Sequence, residues 1–100
     1  MPPRLSTAGR LLVAICREDT LLLDDIARRA RITRHRLDQC RDGIRSLELE
    51  EQLRLAAVLI AVAPKYERRA YTLYGQAQAA LRMREDPGRS HQFYPRDRFP

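Results

Sequence analysis

The sequence predicts an all-α fold, with five helices in a single domain over residues 1–85 followed by an extended tail over residues 86–100. Three observations carry that expectation. Apolar side chains recur at helical spacing in five separate segments, no segment shows the period-two alternation of a strand, and the residues that break helices stand between the segments. At 100 residues, with 44% apolar and 32% charged content, the chain suffices for one hydrophobic core and not for two.

Each element has a local reason. Ala8, Leu11, Leu12, Ile15 and Cys16 follow the helical template behind Ser6 or Thr7 as N-cap, which predicts a helix over 8–18. A short second helix over 23–30 would bury Ile26, Ala27 and Ala30, with Asp24 and Asp25 near the positive end of its dipole. Thr33 suits the N-cap of a third helix, 34–42, which carries Leu37 and Cys40 inward until Gly43 ends it. Helices this short are unstable alone, so the second and third must pack on each other.

Glu48, Glu50 and Glu51 open a fourth helix, 48–62, with Leu49, Leu53, Ala56, Ala57 and Ile60 as its expected inner stripe. Leu55, Val58, Leu59 and Val62 make the other faces apolar as well, which describes a helix that is central or that meets a partner chain. Pro64 separates it from a fifth helix over 65–85. There Tyr66, Ala70, Leu73, Ala77 and Leu81 line one side, and Gly75, Ala77, Ala79 and Ala80 would allow close approach of another helix. Tyr66, Tyr71 and Tyr74 read as packing residues. Pro87-Gly88 stops the helix, and Arg89 to Pro100 show no period.

Several functions are excluded as expectations. The longest strongly apolar run, Leu55 to Ala63, is about half the length of a bilayer span, and no signal-peptide pattern follows Met1, so a cytoplasmic chain without membrane contact is expected. Cys16 and Cys40 lack a CxxC or Cys/His companion and read as buried thiols; no metal site and no cofactor is expected. The phosphate-loop, dinucleotide, zincin and nucleophile-elbow motifs are all missing. Asp24 and Asp25, adjacent on a helix, cannot flank one bond, so no enzyme is expected.

Charge points to a partner. The net charge of +6 favours polyanions, although 18 of the 19 basic residues are arginine, a skew that a GC-rich genome also produces. The distribution says more than the total. Residues 28–45 hold seven arginines against Asp38 and Asp42. That window overlaps two short helices and a tight turn at 23–42, the arrangement of a helix-turn-helix. Ala27 suits the close contact between the helices, Ile32 plugs the turn, Leu37 faces the first helix, and Cys40 closes the small core.

Through Ile26-Ala27, Ala30, Ile32-Thr33, Leu37, Gly43 and then Leu49 to Leu59, residues 8–62 resemble the helix-turn-helix domains of the Xre type, similar to the phage lambda repressor and Cro. The resemblance implies a lambda repressor-like domain here extended by a fifth helix. The family's turn glycine is Arg31 in this chain. Arg31 must therefore adopt a left-handed backbone, at a cost of about 1 kcal/mol, or the turn must differ. Neither Leu22 nor Leu23 can cap the second helix.

On this reading the third helix enters the major groove of double-stranded DNA. Thr33, Arg34, His35, Asp38 and Gln39 are the expected base-contacting residues, and Arg28, Arg29, Arg36 and Arg45 the expected phosphate contacts. The expected function is a sequence-specific transcriptional regulator working as a homodimer through the helices at 48–62 and 65–85. The alternative is a helical protein-protein interaction module on the same scaffold, without specific DNA binding.

Overall fold

A computed structural model describes residues 5–85. They form α1 (Thr7–Glu18), α2 (Thr20–Ala30), α3 (Arg34–Arg41), α4 (Leu49–Val62) and α5 (Glu67–Glu85), with a 3-10 turn at Pro64–Tyr66 leading into α5. No strand occurs among these residues. The expected tail over 86–100 lies outside the described residues.

Caps set the helix starts. The Ser6 hydroxyl accepts from the Gly9 amide at 3.1 Å and opens α1, and the Thr33 hydroxyl accepts from the Arg36 amide at 3.2 Å and opens α3. Asp19 takes the same role for α2, accepting from Leu22 N–H at 3.1 Å. This moves the start of α2 from the expected position 23 to Thr20. Leu21-Leu22-Leu23 belongs to its first turn rather than to a connection, and no cap is needed at 22 or 23. At α4, Glu51 reaches back to the Glu48 amide at 2.8 Å, half of a capping box.

The ends of α2 and α3 are built alike. Arg31 takes φ 58 and ψ 42, so the left-handed alternative is the one adopted. The Ile32 amide then donates to the Ala27 carbonyl at 3.0 Å, and Ile32 turns inward beside Ala27. Gly43, at φ 77, repeats the motif after α3, where Ile44 N–H donates to Gln39 O at 2.9 Å.

The core is continuous through all five helices. Leu11, Leu12 and Ile15 of α1, Leu23 and Ile26 of α2, Leu37 of α3, Leu55 and Leu59 of α4 and Leu73 of α5 are fully buried. The central helix is α4, which packs on α2 and along α5. Its surplus of apolar faces is consumed largely by these two neighbours. The buried stripe is accordingly Leu55, Ala56 and Leu59; of the expected stripe, Ala56 is buried, Leu49, Leu53 and Ile60 are half-buried, and Ala57 is exposed. α5 runs antiparallel to α4, and Arg84 near its end pairs with Glu50 at the start of α4.

Tyr66, in the 3-10 turn ahead of α5, and Ala70, Leu73 and Ala77 of α5 are buried as the spacing implied, while Leu81 is half-buried. Gly75 is exposed, and a Cβ there would meet nothing within 4 Å. The close helix approach lies instead at Gly9, where a Cβ would stand 2.9 Å from the Cys40 carbonyl, so α1 can cross α3 only without a side chain at that point. No helix among the described residues is long and apolar enough to cross a membrane.

Candidate nucleic-acid interface

Two short helices at a fixed angle need a core between them, and this one has four members. Ala27, Ile32, Leu37 and Cys40 are all at most 8% exposed. Leu37 and Cys40 point α3 inward. At about 100° per residue, the opposite side of α3 carries His35 and Gln39. His35 is exposed and Gln39 half-buried.

The remaining expected base contacts are placed differently. Arg34 and Asp38 lie to one side of α3, and Thr33 is exposed at the helix entrance as its N-cap. Arg34 is only a third exposed: its guanidinium pairs with Asp24 of α2, and its Nε donates to Asp38 Oδ1 at 3.2 Å. These contacts raise its pKa, the Asp24 hydrogen bond most of all. Thr33 Oγ1 accepts the capping N–H and keeps its own proton free to donate.

Of the expected phosphate contacts, Arg28 and Arg29 are exposed but share Asp25, at 2.5 and 2.9 Å. Arg36 forks onto Glu51 of α4, with Nε 2.8 Å and Nη2 2.6 Å from its two oxygens. Burial pushes the Glu51 carboxyl up, but the Arg36 fork and the Glu48 amide outweigh it and hold the group below the ordinary glutamate value. Arg36 thus fastens α3 to α4. Arg45 is exposed in the loop after α3, and the salt bridges among the described residues do not include it.

Three residues outside the expected contact set complete the surface. Arg31 is exposed at the turn before α3 and, like Arg45, makes no salt bridge among the described residues. The two cations therefore stand at opposite ends of the helix. Arg41 pairs with Asp42 at 3.0 Å and Asp38 at 3.2 Å, and donates toward Cys16 Sγ at 3.5 Å, which ties α3 to α1. Arg54 of α4 donates to the Ala30 carbonyl at 2.8 Å, satisfying an acceptor that the end of α2 would otherwise leave open. Arg31 was legible only as a substitute for glycine, and the Cys16 and Ala30 partners of Arg41 and Arg54 are remote in sequence.

Cys40 is buried, and that burial raises its thiol pKa, so it acts as a packing residue of the small core. Among the described residues no group of three or more His, Cys, Asp or Glu side chains could hold a metal ion. The arrangement offers hydrogen-bonding side chains on the outer face of α3 and, at each end, a cation that makes no salt bridge among the described residues. Comparison of the chain with family models, with curated proteins and with solved structures returns no match.

Proposed function

We propose that the protein is a cytoplasmic, sequence-specific double-stranded DNA-binding regulator of the Xre type, acting by binding rather than catalysis. One observation carries this reading: α2, its left-handed turn and α3 are locked by Ala27, Ile32, Leu37 and Cys40, leaving His35 and Gln39 outward between Arg31 and Arg45. Gln39 can pair with adenine and His35 with guanine acceptors, while Thr33, Arg34 and Asp38 border the same surface. Arg31 and Arg45 would grip phosphates on either side of the groove, with Arg28, Arg29 and Arg36 adding to the field. A homodimer through the outer faces of α4 and α5, where Ala57, Ala61, Gly75 and Ala79 are exposed, would place two α3 helices on half-sites about 34 Å apart.

The second reading, a protein-protein interaction module, is favoured by a different observation. Five of the seven arginines between 28 and 45 are engaged with carboxylates. Titration of labelled duplex DNA at about 50 and 200 mM salt separates the two. A groove reader loses affinity steeply with salt, and a selected site should lose roughly 1 to 3 kcal/mol in Gln39→Ala or Arg34→Ala. Absence of duplex binding at either salt concentration would favour the interaction module.

A further inference from the structure

A cleft of about 360 Å3 opens between α1 and α5, away from the four-residue core of the turn, and is lined by Thr7, Arg10, Leu11, Arg69 and Thr72. Its size falls within the usual range of small-molecule sites. Among the described residues no acidic side chain lines it. Arg10 and Arg69 are both exposed, and neither forms a salt bridge among the described residues. The carboxylate of Glu18, which acts on Arg69 at longer range, directs its oxygen to Lys65 and to the Tyr66 hydroxyl, at 2.8 Å each.

Arg10 and Arg69 both line the cleft, so a dianion bound there would be attracted by two guanidiniums at once. The rest of the lining suits an organic group attached to such an anion. Leu11, 1% exposed, closes the bottom of the cleft from the core side. Thr7 Oγ1 donates to Gln76 Oε1 at 2.9 Å and Thr72 Oγ1 donates to the Arg68 carbonyl at 3.2 Å, so both hydroxyl oxygens keep lone pairs free to accept from ligand hydroxyls. Arg10 spends one N–H on the Leu5 carbonyl and retains the others.

The geometry points to a binding site for a small phosphomonoester in this cleft, its phosphate held between Arg10 and Arg69 and its carbon part over Leu11. The site is independent of the DNA-binding reading. Inorganic phosphate is the probe: thermal unfolding is followed in rising phosphate against chloride at matched ionic strength, for the parent chain, Arg10→Gln, Arg69→Gln and the control Arg82→Gln on the exposed side of α5. Phosphate should raise Tm in the parent and in Arg82→Gln by a few degrees more than chloride, and in neither cleft variant. Equal effects of the two salts, or a phosphate effect that survives both cleft substitutions, overturn the assignment. Duplex DNA affinity measured on the same variants distinguishes the source of the phosphate. An affinity that stays at the parent value in Arg69→Gln supports a small ligand, and one that falls alongside the phosphate effect assigns the cleft to the DNA backbone and overturns the proposal.

Discussion

Arg31 shows how one residue can satisfy a turn at a conformational cost. Its left-handed backbone lets Ile32 drop into the core while the Ile32 amide closes onto Ala27, but a side chain with a Cβ sits less comfortably there than glycine. Arg31→Gly should therefore stabilise the domain by up to about 1 kcal/mol, read as a higher urea midpoint; a lower midpoint would mean that the arginine side chain contributes more than its backbone strain costs. Gly9 poses the reverse problem. Nothing in its local sequence marks it, since its absence of a side chain matters only because α3 brings the Cys40 carbonyl against it. The residues of the turn core were legible because each small or branched side chain answers a requirement confined to about twenty neighbouring positions. Arg34, whose partner Asp24 lies on another helix, was not.

Helices were legible where their own residues terminate them. Ser6, Thr33 and Gly43 mark boundaries of α1 and α3 by chemistry confined to one turn. The start of α2 was misplaced because a leucine triplet carries no boundary information, and Asp19 became recognisable as a cap only once the chain was seen to turn sharply after α1. Between elements, Arg36 and Glu51 form a two-pronged tie from α3 to α4. Glu51 keeps 13% of its side chain exposed, against about half for both members of the Arg84–Glu50 pair. A double-mutant cycle on Arg36 and Glu51 should give the larger coupling energy of the two, with Arg84–Glu50 falling at about 0 to 1 kcal/mol. Equal couplings would show that Arg36 is as free to leave α4 for a phosphate as any surface arginine.

The whole molecule is held at its edges by acids paired with arginine or lysine, and this sets its pH response. Lys65 lowers Glu18, Arg41 lowers Asp42 and Arg84 lowers Glu50, and Glu51 is lowered despite its burial. Groups depressed in the folded state contribute stability that is complete above their unfolded values, near 4.5 for glutamate, and is lost as pH falls through the folded ones. At the alkaline end, burial and then the Glu18 hydrogen bond push the Tyr66 phenol up to about 12, so stability present below its ordinary value of 10.0 is lost as pH rises toward 12. The urea midpoint should accordingly hold between about pH 6 and 9 and fall on both sides, with the alkaline fall reduced in Tyr66→Phe. A midpoint constant from about pH 6 down to about 3 would contradict the acid-side assignment.

Helical class, the approximate extent of the five helices and the four-residue core of the turn could be read from the chain alone, because periodicity, caps and side-chain volume act over a few residues at a time. The fate of the charges could not. Whether an arginine meets solvent, a phosphate or a carboxylate depends on which side chains a fold brings within about 4 Å: Asp24 comes into play when α2 and α3 pack, and Glu51 and the cleft at Arg10 and Arg69 only when α1, α4 and α5 close around the turn. The apolar surplus of α4 was ambiguous for the same reason: burial is a property of neighbours, and α5 proved to be the neighbour.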